Sequence, residues 1–104
     1  MSLAGKEIVW TNHAENKIRY YSLSKRKLKR LLYDFDRKEY GIAPDTIALM
    51  GRVKKTRETE IWLMYESLKD KIKIISAWRY PGITKSDESF YIPSDVFEEI
   101  NKGK

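Results

Sequence analysis

Residues 46–80 leave few options for the fold. They contain three runs of largely alternating residues, 46–55, 60–68 and 71–80, separated by stretches long enough only for turns. Strands joined so closely pair antiparallel, so the expectation is a meander. In the first run Ile47, Leu49, Gly51 and Val53 share one face and Ala48, Met50, Arg52 and Lys54 the other; in the second, Ile61, Leu63 and Tyr65 oppose Trp62, Met64 and Glu66. Both faces carry large apolar groups, and such a sheet needs cover on more than one side. The third run, K-I-K-I-I-S-A-W-R-Y, stops at Pro81-Gly82, where proline has no N–H to give to a ladder. Strict alternation puts Ile72, Ile74, Ser76, Trp78 and Tyr80 on one side of it and Lys73, Ile75, Ala77 and Arg79 on the other. Trp62, Met64 and Trp78 read as packing residues before they read as a base-stacking platform.

The segments before the meander carry helical signals. After a short strand at residues 7–10, Thr11 or Asn12 is suited to cap a helix through Tyr21, on which Ala14, Ile18 and Tyr21 form one stripe and His13, Lys17 and Tyr20 or Tyr21 an adjacent one. His13 is either a general base or a side chain that merely hydrogen-bonds a neighbouring loop. Ser24 caps a second helix expected to run from Lys25 to about Asp36, with Leu28, Leu31, Leu32 and Phe35 on its apolar face. Its other face is basic: Lys25, Arg26, Lys27, Lys29 and Arg30 fall within six residues. Cations in a first turn and the acids Asp34 and Asp36 at the far end both oppose the helix macrodipole. That polarity fits an anion awaited at the basic end, or a solvated face that packing tolerates. Residues 41–45 read as loop, residues 83–89 as polar loop, Phe90-Tyr91-Ile92 as a brief extended piece, and Pro93-Ser94-Asp95 as the start of a short acidic helix through Val96, Phe97 and Ile100.

Composition bounds the chemistry. The chain has 104 residues, 41% of them apolar and 35% charged, which suits one globular domain over residues 1–104. It has no cysteine and one histidine, which excludes disulfides, thiolate chemistry and multi-histidine zinc sites. Asp34, Asp36 and Glu39 lie at a helix end without a glycine-rich loop to gather them, so no metal or other cofactor is expected. No apolar run approaches the roughly 20 residues of a membrane span and nothing resembles a signal peptide, so the expected setting is the cytoplasm. The formal charge of +6 favours an anionic partner, nucleic acid or an acidic protein segment.

A Thr11-x-His13-Ala14 start, a second helix opened by Leu23-Ser24 and a strand ending Ile75-Ser76-Ala77-Trp78-Arg79 resemble the RelE/ParE-type bacterial toxin superfamily, most of all the BrnT-like proteins and related uncharacterised bacterial families with the same Thr-x-His-Ala motif. The resemblance spans residues 7–82 and implies an α+β fold in the order β-α-α-β-β-β. Two N-terminal helices would pack on a twisted antiparallel sheet, followed here by a short C-terminal helix. Many such proteins are toxin-antitoxin endoribonucleases that cleave RNA without metal and are held by a small acidic antitoxin. Cleavage of that kind needs a base for the 2′-hydroxyl, cations for the developing phosphorane and an acid for the leaving 5′-oxygen. By this resemblance Arg79 would hold the phosphate, His13 and Lys17 would supply a base and a second cation, and Tyr80 or Tyr65 would stack a base or move a proton. In place of a dense cluster of basic residues on its strands, the chain has Arg52 and Lys54 on the first meander strand.

Three readings follow: a metal-independent endoribonuclease with Arg79, His13, Lys17 and Tyr80 as catalytic residues; a non-catalytic basic module that binds RNA or a partner protein through Lys25, Arg26, Lys27, Lys29, Arg30, Arg52 and Lys54; and a homo-oligomer whose second sheet face is the interface.

Overall fold

The computed structural model describes residues 5–40, 43–54, 58–82 and 90–101, so the loop expected at 83–89, and Gly41, Ile42, Thr56 and Arg57 of the other expected loops, lie outside the described residues. The elements are β1 (Glu7–Trp10), α1 (Asn12–Tyr20), α2 (Lys25–Leu31), β2 (Arg37–Tyr40), β3 (Thr46–Lys54), β4 (Glu58–Ser67), β5 (Lys71–Tyr80) and α3 (Ser94–Asn101). They build an α+β fold on one five-stranded sheet of order β1-β5-β4-β3-β2. The meander β3-β4-β5 is antiparallel, as is β2 on β3. The sheet is mixed, because β1 pairs parallel with β5, from Glu7 against Lys71 to Trp10 against Ile74.

Strand β1 stops there because Thr11 closes it. The Thr11 amide donates to the Ile74 carbonyl at 3.3 Å, and its hydroxyl donates to the carbonyls of Ile74 and Ile75 at 2.9 and 3.2 Å. The same oxygen accepts the Ala14 amide at 3.0 Å, so one threonine ends a strand and caps α1. From that point α1 takes over as the neighbour of β5: His13 lies beside Ser76, and the Tyr21 carbonyl beyond the other end of the helix receives Arg79. The helix ends in a Schellman turn, with the Ser22 amide on the Arg19 carbonyl and the Leu23 amide on that of Ile18. Ser22 must then adopt φ of 54°, a left-handed conformation that costs a non-glycine residue about 1 kcal/mol. Replacing Ser22 with glycine is expected to raise the unfolding free energy by roughly 0.5 to 1 kcal/mol in urea titrations, with no change in the slope.

Three findings depart from the sequence reading. Helix α2 ends at Leu31 instead of reaching Asp36: the chain turns through Leu32 and Tyr33, the Asp36 amide bonds the Met50 carbonyl, and its carboxylate accepts the Arg52 amide at 2.8 Å. Acids that would sit badly at a helix C-terminus are thus used to dock the chain on β3. The second departure is β2 itself, an edge strand of charged residues and one tyrosine, with no apolar alternation to announce it. The third is a β-bulge in β5. Met64 pairs with Ser76 but Tyr65 pairs with Ile74, so Ile75 is an extra residue and the alternation slips by one. Ile72 and Ile74 therefore share a face with Ala77, while Ile75 and Trp78 belong to the opposite face.

Each face has its own cover. Ala14 and Ile18 of α1, with Leu28 and Leu31 of α2 and the adjoining Leu32, pack on Leu49, Ile61, Leu63, Tyr65, Ile72 and Ile74. Gly51 lets α2 come close, since a Cβ there would overlap the Leu31 side chain. On the other face Val96 of α3 is fully buried against the Trp62 and Trp78 layer, with Phe90, Ile92 and Ile100 around it. The face that an oligomer would have had to cover is covered by residues 90–101 of the same chain.

Candidate functional site

The site residues expected on α1 and β5 lie along the seam where α1 runs beside the second half of β5, from His13 at Ser76 to Arg79 at the Tyr21 carbonyl. His13 and Lys17, one turn apart on α1, share an acidic neighbour from α3: Asp95 Oδ2 lies 2.9 Å from Lys17 Nζ and 3.2 Å from His13 Nε2. Glu99, one turn further along α3, stands 3.6 Å from His13 Nδ1. Each ring nitrogen of His13 therefore faces a carboxylate. Direct contact with Asp95 holds the Lys17 ammonium above the ordinary lysine value of 10.5, against a smaller opposing effect of burial.

His13 Nε2 is also 3.1 Å from Ser76 Oγ. Serine, histidine and an acid in contact invite comparison with a nucleophilic triad. Ser76 is wholly buried, however, and no substrate carbon can reach it. The serine and the acids hold the imidazole in place, and its side chain is 16% exposed. As a general base His13 would first have to be released from α3.

Arg79 lies on the strand face toward α1 and donates from Nη2 to the Tyr21 carbonyl at 3.2 Å. The Schellman turn leaves that carbonyl for it, and a cation suits the negative end of a helix. Arg79 is half-buried there. Tyr80 points to the opposite face, its ring 6.0 Å from that of Tyr91. The structure thus brings His13 and Lys17 into one cluster, and sets Arg79 and Tyr80 beside it on opposite sides of β5.

The basic residues divide. Lys25 forms an ion pair with Glu15 and its amine lies 5.2 Å from the centre of the Trp10 ring, so it braces α1, α2 and β1. Arg26, Lys27 and Lys29 are exposed and among the described residues have no ion-pair partner; Arg30 meets Asp34 at 3.8 Å with both side chains about three-quarters exposed, a contact of little energy. Lys27 and Arg30 border a cleft of about 400 Å³ between α2 and β3, over Leu31 and Gly51. Arg52, exposed on β3, borders the same cleft, together with Asp34 and Asp36. The Lys54 backbone pairs with Glu58, and its side chain lies outside the described residues.

Asp95 and Glu99 were absent from the sequence-derived site. The signal that could have found them is a matching period: His13 and Lys17 are four apart on one helix, and Asp95 and Glu99 four apart on another. Among the described residues no group of histidines and carboxylates is placed to hold a metal ion, and no helix is long and apolar enough to cross a membrane.

The protonation of this seam and of the core predicts alkaline sensitivity. Lys17 is raised above 10.5 by Asp95, and Tyr21 and Tyr65 are raised above 10.0 chiefly by burial. Between the unfolded and folded values the folded chain holds more protons, so these groups' contribution is intact below pH 10 and is lost as pH climbs through the raised values. The melting temperature should fall steeply above that pH, with phenolate absorbance of part of the tyrosines appearing late; a flat stability profile through the alkaline range would contradict this.

No protein-family model, curated protein or solved structure matches the chain.

Proposed function

We propose that the chain is a basic RNA-binding module of RelE-like architecture, working in the cytoplasm through the outer face of α2. The observation that supports this reading is the outer face of α2. Arg26, Lys27 and Lys29 stand exposed there without ion-pair partners among the described residues, in a chain of net charge +6. The anion that suits such a run of exposed cations is a phosphate backbone. The test is fluorescence anisotropy with labelled RNA at rising salt. Four phosphate contacts, one each for Arg26, Lys27, Lys29 and Arg30, correspond to a slope of roughly −2.8 on single strands and an affinity loss of about 50-fold between about 50 and 200 mM salt. Salt-independent binding, or none at low salt, sinks the reading.

A second reading, a toxin-type endoribonuclease restrained by a small acidic antitoxin, is favoured by one observation: His13 and Lys17 meet the same Asp95 carboxylate on the helix whose end receives Arg79. It requires α3 to give up Asp95 and Glu99. If it holds, expression arrests growth, purified protein cuts RNA in chelator, and Arg79→Ala abolishes both. Unimpaired growth together with intact RNA removes it and leaves binding alone.

A further inference from the structure

Among the described residues four tyrosines stand well in water: Tyr33 and Tyr40 at 66% each, Tyr20 at 74% and Tyr91 at 52%. The last two adjoin the ends of α1 and β5. Each is braced by a more buried ring. Tyr20 meets Tyr21 edge to face, with centroids 4.8 Å apart and planes at 83°, and Tyr91 leans on Tyr80 at 6.0 Å and 30°. Tyr21 and Tyr80 in turn pack against the buried layer of Trp62, Trp78 and Val96. The exposed rings are therefore held by the fold and not left to swing.

Cations are interleaved with them. Lys17 Nζ lies 5.0 Å from the centre of the Tyr20 ring, and the Arg79 guanidinium is bonded to the carbonyl of Tyr21 by one nitrogen of a group that carries five N–H donors. A nucleotide with an unpaired base presents a π-face and an anion in one unit, and this surface presents rings and cations in the same spacing class. A protein partner would have to supply an acid and an aromatic from separate side chains.

We infer that Tyr20 and Tyr91 form a stacking platform for the unpaired bases of single-stranded RNA, with Arg79 taking an adjoining phosphate while Lys17 stays paired with Asp95. The inference rests on the RNA-binding reading and adds to it a preference. Cations on α2 grip the backbone of any strand, whereas a ring can stack only on a base free of its own helix, and every base offers such a face. The platform therefore selects single strands over duplex without reading sequence.

The experiment compares wild type with Tyr20→Ala/Tyr91→Ala and with Tyr20→Phe/Tyr91→Phe, each against a single-stranded RNA and a duplex of equal length at one salt concentration. Stacking predicts that the alanine variant loses about tenfold in single-strand affinity per ring, roughly 100-fold together, while duplex affinity stays within about twofold. The phenylalanine variant, whose rings still stack, keeps wild-type affinity. Both outer rings are exposed, so both variants should melt with wild type, which separates lost stacking from lost folding. Equal losses on single strand and duplex, or no loss on either, overturn the platform and leave the α2 reading standing. A wild type that binds neither RNA overturns both.

Discussion

Replacing Trp62 with alanine should cost about 3 to 5 kcal/mol, a large share of the roughly 5 to 15 kcal/mol that holds a small domain folded. Trp62 is fully buried at the centre of the face that α3 covers. Its ring is stacked between that of Trp78, 5.9 Å away and parallel within 2°, and that of Phe90 at 4.5 Å and 9°. The Arg37 guanidinium lies 5.8 Å from the Trp62 ring and 5.6 Å from that of Phe90, which ties the edge strand β2 to the same stack. The indole N–H donates at 3.0 Å to Glu60, a carboxylate with no exposure at all. The alanine variant therefore opens a cavity, unstacks two aromatic neighbours and takes a donor from a buried acid, and these losses act together. Trp62→Phe separates them. It keeps most of the stacking but loses the N–H, and should cost about 1 to 3 kcal/mol. Urea unfolding followed by the fluorescence of the remaining tryptophans measures both. An alanine variant within about 1 kcal/mol of wild type would mean that the second face contributes little to the fold.

The second large effect is on binding. Changing Arg26, Lys27, Lys29 and Arg30 together to glutamine should lower RNA affinity by roughly 600-fold at about 0.1 M salt, because each lost phosphate contact removes about 0.7 of a log unit per decade of salt. The salt slope should flatten by about 2.8 in the same variant. Stability should change little, since the four side chains are exposed and Arg26 and Lys27, which oppose the helix macrodipole, are offset by Lys29 and Arg30 in the last turn, which favour it. Lys25 is left out of the set because its ion pair with Glu15 makes it structural. A variant that folds as wild type and binds RNA with unchanged affinity and slope would remove α2 from the account.

Much of the architecture could be read from local patterns because local physics produces it. Thr11 and Ser24 cap their helices with the side-chain oxygens that the cap rule asks for, and both apolar faces of the meander found helical cover. The failures all involve information held by a partner segment. Arg37–Tyr40 is a strand only because β3 offers it an edge. The bulge at Ile75 exists only in the register of β5 against β4, and it moves Trp78 across the sheet relative to Ile72 and Ile74. Likewise His13 and Lys17 could be placed on one stripe of α1, but Asp95 and Glu99 meet them through a tertiary contact between segments some eighty residues apart. That contact turns two candidate catalytic groups into a held cluster, and it moves the weight of the functional reading to α2.

An amide chemical-shift titration of the labelled protein with single-stranded RNA tests the central claim directly. The largest perturbations should fall along α2, at Arg26 to Arg30, and around Tyr20 and Tyr91, while the β2 edge at Lys38 and Tyr40 stays in place. Perturbations confined to β2, or a spectrum that RNA does not change at low salt, would contradict it.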